Sequence, residues 1–371
     1  KINIILNNLD YKMEIKAEIV LPTKELREDI PFFTNTLKMK MDMIYPADNP
    51  TVAVFSGHGI RVRIDKDADI PPGKLRILCE DPERFCKGKK HLKAPNDTIV
   101  EFDELNPPIV LPTTKHSFVV RKLADQAPWI IGRAGMQYRD LIPDRLGGSI
   151  IASHIRIPDG GPVPDMVHYH SVGFQLIFCF KGWVDLVYED QGEPLRLIAG
   201  NCVIQPPEIR HQVLYASDNI EVIEIGVPAD HITTIDHEMK LPNKVINKDR
   251  KFKGQKFVHH KENEAVWDEF RIPGFKSRDT GIARNTNDVA SVHIIRPNEK
   301  KSPVTYHDSD ILFNFVMEGS MILHGEGKKP FKLSPGDAFV IPPKMKTQYT
   351  EYTPELELLE VSLPGKFNTY Y

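Results

Sequence analysis

His168-Tyr169-His170 puts two imidazoles on one face of a strand, because side chains alternate along an extended backbone. Gln175 follows on the next strand-like run, and Gly182 beyond it suits a hairpin turn. Further on, Gly200 leads to Pro206-Pro207 and then to His211. The spacing is H-x-H-x4-Q-x6-G, then G-x5-P-P-x3-H. Three histidines and an amide converging inside a small barrel make a site for a mid-row metal, since neutral imidazole suits iron, zinc, copper or nickel. Such a set supplies at most four ligands. One or two positions remain for water, substrate or dioxygen.

The elements that must position these residues are mostly strands. The 371 residues predict two to four domains at roughly 100–200 residues each. Hydrophobic residues at 41% and charged residues at 27% describe a globular chain. The 30 prolines disfavour a helical bundle and suit a β-rich fold with many turns and strand ends. The longest apolar run, residues 176–180, falls far short of the roughly 18 residues of a membrane span. A formal net charge of −3 argues against nucleic acid as partner. The second half of the chain repeats the first. Trp129 to Trp267 is 138 residues, His170 to His307 is 137, Gly182 to Gly319 is 137, and Pro206 to Pro342 is 136. One offset shared by four landmarks is a domain duplication, because solenoid periods are only about 20–50 residues.

The two motifs resemble those of the cupin superfamily, and the duplication resembles a bicupin. The resemblance covers Thr98 to the C-terminus. It implies a mainly β fold of two double-stranded β-helix, or jelly-roll, barrels. It assigns the family's three metal histidines to His168, His170 and His211, and places Gln175 where the family carries a glutamate. Glu208 stands where the second motif has a glycine, and Tyr215 where it has an asparagine. An amide cancels none of the metal's charge, so Gln175 is either a weak fourth ligand or a hydrogen-bond partner of a ligand. A three-histidine site resembles those of ferrous dioxygenases that cleave aromatic diols, β-diketones or thiols. The expected activity is therefore a metal-dependent oxidation of a small anionic or phenolic molecule, with Fe2+ favoured over Zn2+, Ni2+ or Mn2+. The alternatives are a non-redox isomerase or lyase, and a small-molecule binding or sensing cupin without turnover.

Tentative substrate contacts are Arg156, Tyr188 and Gln205. Arg156 aligns with His293 by the 137 offset and faces the pocket only if residues 152, 154 and 156 point inward. Arg133, Tyr138 and Arg139 precede the barrel and are candidates for a lid. The second copy retains His307 but has Thr305, Leu312 and Thr347 at the other three positions. It is expected to be structural, with His293, His307 and Asn314 as an alternative metal-free pocket.

Residues 1–12 read as an upstream extension. Residues 13–92 resemble one βαβββ module of the glyoxalase, or vicinal-oxygen-chelate, type. The expected order is a strand over 14–21, a helix over 24–37 capped by Thr23, then strands over 40–45, 52–56, 59–65 and 74–79. His58 reads as a turn residue. Such a half-module is expected to pair with a second copy in a homodimer, or to pack on the cupins. Residues 85–96, basic and glycine-containing, read as a linker, with the first cupin over 98–247 and the second over 248–371. Cys79, Cys86, Cys179 and Cys202 form no C-x-x-C pair and read as reduced thiols of a cytoplasmic protein.

Overall fold

A computed structural model describes residues 15–125 and 128–371. The start of the expected first strand, with Met13 and Glu14, lies outside these residues, as does the upstream extension. The chain forms two compact units that meet at Pro108 and Ile109.

In the first unit, strands Ile19–Pro22, Ile60–Asp65, Val52–Gly57 and Lys40–Tyr45 form a sheet in that spatial order. The first pair is parallel and the others antiparallel. A parallel pair needs a crossover. Helix Leu26–Pro31 and the π turn Phe32–Thr36 belong to it and bury Leu26, Phe33 and Leu37 against Phe55, Val62 and Ile64. Thr23 is not the cap. Its hydroxyl donates to Asp29, and Glu25 accepts the free Arg27 amide. Pro31 limits the α-helix to 6 residues, shorter than the predicted one. His58 is indeed a turn residue at φ 53°, with Nε2 bonded to the Leu37 carbonyl at 2.7 Å.

The boundaries expected at 92 and 98 are wrong. Strand Ile99–Glu104 runs parallel to Lys74–Cys79 and antiparallel to His91–Lys93, in a second sheet of this unit. Val100 and Phe102 are buried with Leu75 and Ile77. The expected linker is not a connector: it begins at the end of a helix, Pro82–Cys86, and contains the strand His91–Lys93. The exposed Lys87, Lys89, Lys90 and Lys93 gave the segment a linker's composition.

The second unit holds two barrels. The inner sheet of the first contains Phe174–Lys181, Ile220–Val227 and Ile151–Ile157, and that of the second contains Ile311–Glu318, Glu357–Leu363 and Ser291–Pro297. Alternation decides what each strand residue meets. Leu176, Phe178, Ile223 and Ile225 pack on Val292, Phe313, Phe315 and Val361 of the other barrel, in one shared core. Gln175, Ile177 and Cys179 take the opposite face.

The barrels exchange strands, so neither matches the contiguous span expected for it. Val119–Arg121 pairs with Ala338–Val340 of the second barrel, and Val258–His260 pairs with Cys202–Ile204 of the first. Two buried arginines repeat the exchange. Arg139 Nη2 donates to the Gly336 carbonyl at 2.7 Å, and Arg278 Nη2 to the Gly200 carbonyl at 3.0 Å. The cysteines are unpaired, and burial pushes the thiols of Cys179 and Cys202 up to about 12. Among the described residues no helix is long and apolar enough to cross a membrane.

Candidate metal centre

Strand His168–His170 sends both imidazoles inward, while Tyr169 turns outward under the Arg210 guanidinium at 4.1 Å. His211 opens the neighbouring strand His211–Ala216 and sits directly across from His168. The three rings are buried, with centroids 4.2–5.2 Å apart. One ring nitrogen from each lies within 4.8 Å of the others. The opposite nitrogens are tied down. His168 Nδ1 donates to the Met166 carbonyl at 2.7 Å and His211 Nδ1 to the Ile209 carbonyl at 3.0 Å. His170 Nδ1 is bonded to the Thr233 hydroxyl at 2.9 Å. A proton fixed on Nδ1 leaves the Nε2 lone pair free for a cation. Burial, and then neighbouring charges, lowers the pKa of all three, that of His170 to about 2. The imidazoles are therefore neutral, the form in which they ligate.

Gln175 adds a fourth polar group. Its Nε2 donates to Glu224 Oε1 at 2.6 Å, and its Oε1 is buried without a partner. His168 Nε2 is likewise buried without a partner. Orphaned acceptors of this kind are costly unless something electropositive meets them. The donor set therefore fits a divalent transition metal, which the three Nε2 atoms would hold.

Sequence reasoning missed Glu224. It lies on strand Ile220–Val227, where the alternation Glu-Val-Ile-Glu-Ile brings a carboxylate inward next to Gln175, and the match of Glu224 to Glu360 across the repeat was the available signal. Burial raises its pKa, and the Gln175 hydrogen bond opposes the rise. His231 was also missed. Its ring lies 5.5 Å from that of His170, with Nδ1 donating to the Pro228 carbonyl at 3.0 Å.

A cavity lies beside His170 and His211. Its walls are largely aliphatic, with Arg133, Tyr138, Gln205 and Glu224 as polar points. Gln205 thus lines the cavity. Tyr188 lies behind it, stacked on His211 at 5.7 Å, and its hydroxyl accepts from Gln205 Nε2 at 3.0 Å. Arg156 does not reach the cavity. It covers Trp129 at 4.1 Å and bonds Gln137 at 2.7 Å, because its neighbours Ile155 and Ile157 take the inward face. Its counterpart is Arg296, which covers Trp267 at 4.2 Å. Ser153 faces Glu224 as His293 faces Glu360, so the offset on this strand is 140 rather than 137. Arg133 and Tyr138 do line the cavity, but Arg139 is buried between the barrels.

The second barrel lacks the set. Thr305 and Thr347 pair through their backbones, and Leu312 is core. The Ser309 amide donates to His307 Nδ1 at 3.1 Å, so its Nε2 carries the proton and donates to the Ile341 carbonyl at 3.2 Å. His307 has no lone pair left for a ligand. Asn314 is buried with neither amide atom partnered. Among the described residues His168, His170 and His211 are the one group of this kind that could hold a metal.

Residues 291–360, in the second barrel, match the cupin domain model. Solved structures extend the likeness to bicupins. The salicylate 1,2-dioxygenase of Pseudaminobacter salicylatoxidans superposes with a TM-score of 0.52 at 14% identity, over 71% of this chain and 90% of that one. A variant of the oxalate decarboxylase of Bacillus subtilis gives 0.52 at 11%, over 70% and 81%. The formate complex of the Lactobacillus farciminis oxalate decarboxylase gives 0.51 at 14%, over 70% and 91%. At such identities the likeness is one of fold. No curated protein matches the chain in sequence. The cupin turn also explains an oddity at Glu208. Its φ is +66° at the position where the family has glycine, and Lys344 in the second cupin adopts +68°.

Proposed function

We propose that the first cupin is the active site of a metal-dependent oxidation, with Fe2+ the favoured metal and a small anionic or phenolic molecule as substrate. The observation that carries this reading is a buried set of three neutral imidazoles with no carboxylate among them. Such a set leaves both charges of a divalent metal uncompensated, which favours an anionic partner. The metal would supply Lewis acidity and a redox route between substrate and dioxygen. The protein's part is to hold the three histidines through their Nδ1 bonds, to keep the Gln175 oxygen inward through Glu224, and to exclude water with aliphatic walls. Anaerobic loading with Fe2+ followed by oxygen-uptake measurements on diols, diketones, hydroxy acids and thiols tests this. Uptake should be abolished by His211→Ala. Full turnover with zinc alone would refute the oxidation.

A second reading has its own support. Glu224 borders the cavity and can carry a proton, which suits an isomerase or lyase using Zn2+, Ni2+ or Mn2+. Exchange of a substrate C–H proton with solvent deuterium, without oxygen consumption, would favour that reading.

A further inference from the structure

The cavity of the first cupin is dry along most of its wall. Ile155, Ile157, Ile177, Leu186, Val213 and Val222 face into it. Two donors break this wall from outside the metal motif. Arg133 lies in the turn Arg133–Gly135, and Tyr138 on the strand Gln137–Asp140 that pairs with Ile151–Ile157.

Arg133 is anchored on one side only. Its Nη1 donates to Asp165, whose side chain is buried and also accepts from the Val213 amide at 2.9 Å. Its Nε and Nη2 groups meet no acceptor among the described residues, and its side chain remains 34% exposed. The Tyr138 hydroxyl meets only the Met136 sulfur, a weak acceptor, at 3.8 Å. Burial, reinforced by the Glu224 charge, pushes this phenol up to about 12, so it stays a donor near neutrality. A guanidinium edge with free N–H groups and a phenol O–H therefore share a cavity whose other polar groups are His170, His211, Gln205 and the Glu224 carboxyl and whose remaining wall is aliphatic. That edge matches a planar group with two oxygens, which it can bind with two parallel bonds. One fork and one phenol offer too few donors for a phosphate dianion.

We propose that Arg133 and Tyr138 hold the carboxylate of an apolar organic acid whose hydrocarbon body fills the aliphatic part of this cavity. The inference rests on the reading of the first cupin as the substrate site and narrows that substrate to amphiphilic carboxylic acids. The acid is held by protein donors, so it binds without the metal.

The test is calorimetry on the full chain freed of metal by chelation. Benzoate is compared with benzamide and octanoate with octanamide, so that each pair differs in charge at nearly constant shape. In the wild type at least one acid should bind about 10-fold or more tighter than its amide, as expected for a charge-assisted pair. Arg133→Met should weaken that acid about 10- to 100-fold and leave the amide unchanged. Arg133→Lys should restore part of the loss, because it keeps the charge without the fork. Tyr138→Phe should cost roughly 3- to 10-fold. Equal affinity of acid and amide in the wild type, or absence of binding by both acids, overturns the proposal. So does an acid preference that survives Arg133→Met. Should Arg133→Met fail to fold with Asp165 left unpaired, Arg133→Lys and Tyr138→Phe decide, and unchanged acid affinity in both overturns it. Co2+ titration of the same proteins reads the histidines separately. A wild type that keeps the acid preference but takes up no Co2+ refutes the metal centre and supports the anchor.

Discussion

Replacing Gln175 with leucine gives the first cupin the residue that the second has at the equivalent position, Leu312. The substitution removes the donor that meets Glu224 Oε1 at 2.6 Å. A hydrogen bond to a charged acceptor contributes about 1.5–3 kcal/mol, and the buried partner left behind bears the loss. Gln175→Leu should therefore lower stability by about that amount, or roughly 4–10 °C in Tm for a unit of this size. Burial already raises the Glu224 pKa, and the lost bond was the first influence opposing that rise. The sign of the pH dependence follows. A carboxyl whose folded pKa lies above its unfolded value binds more protons when folded, so its ionisation destabilises the fold as pH rises. The penalty of Gln175→Leu should be small while Glu224 is protonated in both proteins, grow as pH rises past its raised folded pKa, and level off once the variant's carboxyl has also ionised. Thermal melts of metal-free protein across that range measure it. Gln175→Leu combined with Glu224→Met should recover most of the loss, because removing both partners of a buried pair is nearly neutral. A pH-independent penalty, or a double variant no more stable than the single one, would refute the view that Gln175 serves Glu224.

Metal analysis by mass spectrometry should find at most one transition-metal ion per chain, abolished by His211→Ala and unchanged by His307→Ala, because both His307 nitrogens are already bonded. Glu221 should stabilise the protein against acid. Burial would raise its pKa, but His154 and Lys181 hold it down to about 2. With the folded value depressed, this stability is present above the ordinary carboxylate range and is lost as pH falls from there toward about 2. Glu221→Gln should remove about 1–2 kcal/mol of acid dependence after allowance for solvent screening, read from denaturant midpoints at successive pH values. Arg139→Met should lower the denaturation midpoint by about 2–4 kcal/mol, because its guanidinium bonds the Gly336 carbonyl and His154 Nδ1 inside the seam between the barrels.

What was legible in the sequence followed from local rules. Alternation and turn spacing brought His168, His170 and His211 to one place, and the repeat announced two barrels. The failures were non-local. No local pattern tells that Val119–Arg121 completes the distant barrel, or that Ile99–Glu104 completes the first unit, because a single short strand finds its partner through tertiary packing. Arg156 was misplaced by a slip of three residues in aligning the two copies. An odd slip reverses the face of every side chain on a strand, which is why an outward arginine was read as a pocket residue. Glu224 escaped because motif spacing names metal-binding positions and is silent about the carboxylate that orients them.

The two barrels differ most in what meets one carboxylate position shared by both copies of the repeat. Glu224 and Glu360 occupy equivalent places, opposite Ser153 and His293 on matching strands. In the second cupin Arg271 bonds Glu360 through Nε at 3.3 Å and Nη2 at 2.5 Å, and donates from Nη1 to Thr369 at 2.7 Å. The nearby His307 has its pKa lowered to about 4, by burial first and then by the Arg271 charge. That barrel carries its own cation, and a divalent ion beside it would meet like charge. In the first barrel Glu224 accepts a hydrogen bond from the neutral amide of Gln175, with the Arg133 guanidinium on the same cavity, while the Gln175 oxygen and the lone pair of His168 Nε2 remain unsatisfied. The two barrels thus hold this carboxylate differently: an arginine bonds it directly in the second, whereas in the first a neutral amide does and the cavity's own cation, Arg133, is tied to Asp165 instead.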